Sequence, residues 1–123
     1  MFKNSQITNR SLEKVSIEIL DNTITEKSVV ILITDNNENS YSWNVEFGIQ
    51  KKINNKWVDL KYVSDDLSWI DIAYILNENN QLTQRLNIEQ YYGKLSTGTY
   101  RIVKFIDDGK SISNLYSNEF EIK

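Results

Sequence analysis

The sequence predicts an all-β protein, an antiparallel sandwich of roughly seven or eight strands. β-branched and aromatic residues, which favour strands, are frequent, whereas alanine occurs once, at Ala73. Turn-forming residues separate short apolar segments about every 8–12 residues, which is typical of strands in a sandwich. The motif Leu95-x-x-Gly98-x-Tyr100 adds a tyrosine corner, where the chain crosses from one sheet to the other.

The first two strands are predicted from different patterns. Residues 15–19 alternate apolar and polar side chains, as a half-buried strand does. Residues 28–34 form a continuous apolar run, which favours the centre of a sheet. We expect Val29, Ile31 and Ile33 on the core face of this second strand.

The third predicted strand covers residues 41–52, where the period of two is clearest. Its alternation predicts one continuous strand with Trp43 in the core. A polar hairpin turn is expected at residues 51–56, and a shorter strand at residues 57–62 follows it.

Four further strands are predicted in the second half of the chain, at residues 69–76, 81–88, 99–106 and 115–122. The first of them also fits a helix, but its short length and its β-branched content favour a strand. One helical turn at residues 88–93, ended by Gly93, is expected before the corner. The pair Asp108-Gly109 predicts a hairpin between the last two strands.

The corner is expected to be structural. The hydroxyl of Tyr100 can bond to backbone a few residues upstream, with Leu95 and Gly98 completing the turn. Around it we predict one domain at residues 13–123, preceded by a loose N-terminal arm at residues 1–12.

The chain contains the segments Tyr91-Tyr92-Gly93-Lys94-Leu95, Gly98-x-Tyr100-Arg101-Ile102-Val103-Lys104 and Asn118-Glu119-Phe120-Glu121-Ile122. These segments resemble a family of bacterial immunoglobulin-like domains, and the resemblance covers roughly residues 13–123. Residues 33–36 and 50–57 are also similar to the family. Thr97 departs from it, because related corners usually carry proline at that place.

The resemblance implies an immunoglobulin-like sandwich and a non-enzymatic structural or binding module. It also implies the setting of an exported lipoprotein or of the outer part of a membrane-tethered protein, mainly in Gram-positive bacteria. We therefore expect an extracellular or cell-surface location with a signal segment removed, and a cytoplasmic location is the alternative.

Composition excludes several classes of function. The chain has no cysteine and no histidine, which removes thiolate nucleophiles, histidine-based catalytic triads and the usual imidazole metal ligands. The net charge of −3 argues against a nucleic-acid partner, and no apolar run is long enough for membrane insertion. No cofactor or metal is expected, and the expected partner is a protein or a cell-surface glycan.

Charged residues suggest three alternatives, each weighed against an ordinary role. Asp65, Asp66, Asp71 and the pair Asp107-Asp108 could supply calcium ligands, but aspartate is also common in turns. Glu18 and Glu46 could form a carboxylate pair for glycan hydrolysis, but exposed strand carboxylates are usually solubilising. A basic hairpin with Trp57 and Tyr62 nearby could bind nucleic acid by phosphate contact and stacking, although its charges also discourage edge pairing; it contains Lys51, Lys52, Lys56 and Lys61.

Two recognition sites remain as alternatives. Tyr41, Trp69 and Tyr74 could form an exposed platform for a sugar or a peptide, or could pack against neighbouring loops. A small proteinase inhibitor of similar architecture would instead insert an exposed loop into a protease cleft. The loops considered for that role are residues 35–40 and 107–111.

Overall fold

The strands account for most of the regular structure. The structure of the protein, a computed structural model, describes residues 11–38, 41, 43–65, 67–69, 73–107 and 111–123. The strands within those residues are β1 (Val15–Ile19), β2 (Ser28–Asp35), β3 (Trp43–Asn44), β4 (Gly48–Ile53), β5 (Lys56–Asp59), β6 (Ala73–Tyr74), β7 (Gln81–Asn87), β8 (Gly98–Asp107), β9 (Ile112–Tyr116) and β10 (Phe120–Ile122). Helix α1 (Ile88–Tyr92) and two short 3-10 turns at Leu12–Lys14 and Asp21–Thr23 complete the described elements.

The strands form an antiparallel sandwich, which confirms the predicted fold class. One sheet has the order β1-β2-β7, and the other has the order β10-β8-β4-β5 with β9 also paired to β8. The short strands β3 and β6 pair with each other. The described residues form ten strands, because two of the eight predicted strands are each divided into two.

The core lies between the two larger sheets and follows the predicted alternation. Val29, Ile31 and Ile33 are completely buried, so the core face assigned to the second strand is confirmed. Trp43 is 1% exposed and is buried with them, also as predicted. Its indole N–H is the one buried side-chain polar atom without a hydrogen-bond partner among the described residues.

The prediction of one continuous strand at residues 41–52 is wrong. The segment splits into β3, which pairs with β6, and β4, which belongs to the five-stranded sheet. Two buried side chains donate hydrogen bonds to the carbonyls at the break: Lys104 Nζ donates to Asn44 O at 2.6 Å and Glu46 O at 2.8 Å, and Gln84 Nε2 donates to Val45 O at 3.0 Å. These bonds replace ladder bonds that a continuous strand would have made.

The predicted last strand is also interrupted, at Ser117. The backbone N–H of Ser117 donates to Ile102 O, and its hydroxyl accepts from the N–H of Ile102, each at 2.9 Å. A side chain thus takes the place of a backbone partner between β9 and β10. Phe120 and Ile122 are buried and Glu121 is exposed, as the alternation predicts.

The β4–β5 hairpin turn is shorter than the six residues expected. Only Asn54 and Asn55 lie between the two strands, and both have left-handed backbones, with φ of 52° and 66°. A two-residue turn with both central residues at positive φ has the twist that suits a hairpin, and asparagine tolerates it. Lys51 and Lys52 therefore belong to β4 and not to the turn.

The tyrosine corner is confirmed in detail. Tyr100 is 1% exposed, and its hydroxyl donates to Ser96 O at 2.8 Å. Leu95 is buried, and its N–H donates to Glu26 O at 2.8 Å, which ties the corner to the segment before β2. Gly93 ends helix α1 at φ of 81°, a conformation that glycine adopts without strain.

Some predictions fall partly outside the described residues. The arm at residues 1–12 is described only at Ser11 and Leu12, and the strand at residues 69–76 only around β6. The hairpin tip at 108–110 is also outside, although Asp107 pairs with Ile112 as such a hairpin requires.

Candidate binding face

The five-stranded sheet has one face towards the core and one away from it, and the second is the candidate site. Along β8, Tyr100, Ile102, Lys104 and Ile106 are buried in the sandwich, so Arg101, Val103 and Phe105 lie on the opposite side. Register places Gln50 opposite Arg101 and Tyr116 opposite Val103. This side of the sheet is called the outer face below.

An open groove of about 490 Å³ crosses part of the outer face. Gly48, Val103 and Phe105 line its strands, and Leu60, Tyr62 and Tyr92 line its other wall. Gly48 matters because a Cβ atom there would approach Phe105 Cζ to 3.2 Å, in the space between β4 and the phenyl ring. The groove therefore has no side chain at Gly48 and is apolar beside it. Polar residues complete the lining: Gln50, Asp59, Lys61, Asp65 and Asn114.

Tyr62 and Tyr92, which line the far wall of the groove, belong to a larger aromatic cluster. Trp69 stacks on Tyr91 with ring centres 3.9 Å apart, and Tyr62 stacks on Tyr92 at 5.2 Å. Phe47, which is buried, meets the rings of Trp69, Tyr91 and Tyr92 at 5.3–6.1 Å. The cluster connects the core to the surface, where Tyr62 is 43% exposed.

Tyr92 is held in one orientation within that wall. Its hydroxyl donates to Phe47 O at 2.7 Å. Burial raises the pKa of the Tyr92 phenol above its usual value, and the nearby Tyr62 raises it further. Tyr92 therefore stays neutral at physiological pH and keeps its proton for that hydrogen bond.

The other end of the outer face carries a stacked arginine. The guanidinium of Arg101 lies between two rings, 4.4 Å from the centre of Trp57 and 3.8 Å from that of Tyr116. Its Nε donates to Gln50 Oε1 at 2.7 Å, and Gln50 Nε2 donates to Asp59 Oδ1 at 2.8 Å. Four strands thus fix one cation in place.

The three aromatic residues of the predicted platform occupy different environments. Tyr41 is 6% exposed and belongs to the core cluster, so it offers almost no surface to a ligand. Trp69 is half-buried and stacks on Tyr91, and its Nε1 donates to the Tyr62 hydroxyl at 3.0 Å. Tyr74 is half-buried on β6 opposite Trp43. Recognition through them stays a prediction.

The loops considered for protease inhibition are only partly described. In the first, Asp35 is completely buried, and its carboxylate accepts from the N–H groups of Asn37 and Tyr41 at 3.1 and 2.8 Å. Asn37 is 6% exposed and is bonded to the backbone of Ser11 in both directions. Residues 39 and 40 and the centre of the second loop, 108–110, lie outside the described residues.

The remaining charged candidates do not converge. Glu18 is exposed on β1, whereas Glu46 lies in the segment between β3 and β4. Asp66, Asp71 and Asp108, proposed as calcium ligands, are outside the described residues, and within the described ones no three acidic side chains group as a metal site. Lys51 points to the corner, with its Nζ 2.9 Å from Ser96 Oγ.

Of the residues that define the outer face, Arg101 and Tyr116 were not site candidates in the sequence, and Trp57 was considered only beside the basic hairpin. Trp57, Arg101 and Tyr116 are far apart along the chain, and only the strand order brings them together. The alternation of side chains along a strand could have found them: once Tyr100 faces the core, Arg101 must face away from it and Lys104 must face it. Applied to β8, this rule identifies both the stacked arginine and the buried lysine.

Comparison with known proteins gives one match. The family model described as "Bacterial Ig-like domain" matches residues 11–121. No curated protein and no solved structure matches the chain. In the part of the chain that the structure describes, no helix is long and apolar enough to cross a membrane.

Proposed function

The chain belongs to the bacterial Ig-like domain family, and from this we propose that it is a non-enzymatic binding module of an exported or surface-tethered protein. Immunoglobulin-like domains of bacteria are often parts of surface proteins, and they act as structural or binding modules. The proposal places the binding site on the outer face of the five-stranded sheet.

The observation that carries the proposal is the construction of that face. An apolar groove beside Gly48 and Phe105 lies on the same sheet as the stacked Arg101. Exposed aromatic and arginine side chains that are already held in place are typical of binding surfaces, because little entropy is lost when a partner docks. The outer face of the three-stranded sheet has no aromatic side chain among its described strand residues.

A matched pair of variants tests the proposed face. Gly48→Gln puts a long side chain into the groove, and Thr83→Gln makes a similar change on the exposed side of β7 in the other sheet. Each immobilised protein is incubated with surface proteins extracted from the bacterium that encodes the chain. We expect one partner to be retained by the wild type and Thr83→Gln but not by Gly48→Gln. Equal retention by all three proteins would place the binding site elsewhere.

Location is tested by labelling whole cells. Because the chain has no cysteine, Thr83→Cys introduces one exposed thiol. A membrane-impermeant maleimide should label this variant on intact cells if the protein is exported. Labelling only after lysis would assign the domain to the cytoplasm and contradict the proposed setting.

A further inference from the structure

We propose that the outer face binds an extended peptide segment that carries a carboxylate side chain two residues away from a large apolar one. The carboxylate would bind the guanidinium of Arg101, and the apolar side chain would enter the groove beside Gly48. The inference rests on the proposed function, because it specifies the partner of the same face.

The first argument is the state of Arg101. Both rings and Gln50 hold the guanidinium, yet no carboxylate of the described residues forms an ion pair with it. The nearby Asp59 is bonded by Gln50 Nε2. No side-chain nitrogen of Arg101 is both buried and without a hydrogen-bond partner, so the terminal nitrogens of Arg101 are accessible to solvent or to a ligand. A planar guanidinium presents two parallel N–H donors, which match the two oxygens of a carboxylate.

The second argument is the preorganisation of that cation. A free arginine loses rotamer freedom when it binds, and this cost reduces affinity. Here Trp57 and Tyr116 clamp the guanidinium at 4.4 and 3.8 Å, and Gln50 fixes its Nε end. Much of the conformational entropy of the Arg101 side chain is therefore lost when the protein folds. Less binding free energy is then needed to order that side chain when a carboxylate docks.

The strand positions of Arg101 and of the groove residue Val103 match the side-chain spacing of an extended peptide. Arg101 and Val103 are two residues apart on one strand and on one face, so their side chains leave the sheet about 7 Å apart. An extended peptide lying over the sheet has the same spacing between side chains i and i+2. One acidic and one apolar side chain at that spacing can reach the guanidinium and the groove together.

The apolar part of the groove, beside Gly48, favours a peptide with a large apolar side chain over a charged glycan. Phe105 on the strand side and Tyr92 on the wall are half-buried and offer carbon surface beside Gly48, which suits a phenylalanine or leucine side chain. An acidic sugar remains a distinct outcome of the experiment below.

The test uses two blocked pentapeptides and nuclear magnetic resonance titration of the 15N-labelled protein. The probes are acetyl-Thr-Glu-Thr-Phe-Thr-amide and the same peptide with glutamine in place of glutamate. We expect the Arg101 Nε–H signal and the amides of Gly48 and Val103 to shift, and the glutamate peptide to bind about tenfold more tightly. D-glucuronic acid is titrated in parallel.

Two arginine variants provide the control. Arg101→Ala should bind the two peptides with equal affinity, whereas Arg85→Ala removes the same charge from the exposed side of β7 and should keep the wild-type preference. Arg101→Lys retains the charge without the planar fork, and its preference should fall below that of the wild type.

Several results would overturn the inference. Equal affinity of the wild type for both peptides, shifts confined to another surface, or no shift up to about 10 mM peptide would each reject it. Tighter binding of D-glucuronic acid at Arg101 would replace the peptide by an acidic glycan. If these results occur while Gly48→Gln still abolishes partner retention, the proposed function stands and only the chemistry of the partner is wrong.

Discussion

Tyr100 shows how one side chain fastens the corner between the two sheets. Its ring packs against Phe120 with centres 5.9 Å apart, and its hydroxyl reaches back four residues to Ser96 O. The bond crosses the turn that leads into β8, the longest strand. The corner is therefore fixed by a buried side chain and does not depend on the proline that related corners carry.

Replacing Tyr100 by phenylalanine tests this fastener. The ring stays, but Ser96 O loses its donor, so we expect a loss of about 0.5–1.5 kcal/mol in the free energy of unfolding. Urea titration measures the change. The matched control is Tyr116→Phe, since Tyr116 is 40% exposed and its hydroxyl has only a 3.5 Å contact to Asn114. Equal losses of stability in the two variants would show that the Tyr100 hydroxyl does not fasten the corner.

Lys104 is the least expected residue of the core. It is completely buried, and its Nζ donates to Asn44 O, Glu46 O and Gln84 Oε1 at 2.6–3.0 Å. Burial lowers the pKa of Lys104 from 10.5 to about 7, and the attraction of Glu46 opposes that shift. The amine thus stabilises the fold through three hydrogen bonds, whereas burial of its charged form costs stability.

The substitution Lys104→Met removes both contributions. Buried acceptors lose their donor, each at about 1–3 kcal/mol, so we expect the variant to be less stable at pH 7. Urea titrations of both proteins at several pH values separate the two effects.

The pH dependence has a defined sign. Between pH 7 and 10.5 the unfolded wild type keeps the proton that the folded state has released, so wild-type stability rises with pH. Relative to Lys104→Met, the gain is at most about 1.4 kcal/mol per pH unit. If the difference in unfolding free energy between the wild type and Lys104→Met does not change with pH, the three acceptors keep the amine charged.

At the scale of elements, the sequence predicted where strands occur and which of their side chains face the core. It did not predict where strands are interrupted. Within the apolar run at residues 28–34, the period of two put Val29, Ile31 and Ile33 on one face, and all three are buried in the core. The same alternation runs through residues 41–52 without a break. The split there depends on donors from Gln84 and Lys104, which lie on other strands and leave no local signal.

The β4–β5 hairpin gives a prediction at this scale. Asn55 has φ of 66°, which glycine adopts freely and alanine does not. We expect Asn55→Gly to keep or raise the thermal midpoint and Asn55→Ala to cost about 1–2 kcal/mol of stability. Thermal and urea unfolding of the pair check this. Equal stability of the two variants would show that the turn does not require a left-handed backbone.

For the whole molecule, the sequence was sufficient to predict the fold but not the candidate site. The corner and the strand spacing carry the architecture, since both are local features of the sequence. The outer face depends on strand order, which places Trp57, Arg101 and Tyr116 on three strands of one sheet. Residue types alone favoured Tyr41, which packs in the core instead.

Site-specific cross-linking in the native bacterium tests the binding face most directly. A photoreactive benzoylphenylalanine is placed at Asn114, which is exposed at the groove, or at Thr83, which is exposed on the other sheet. We expect irradiation to join a discrete partner to the protein labelled at Asn114 and not to the one labelled at Thr83. The same adduct from both positions, or an adduct from Thr83 alone, would contradict binding through the outer face.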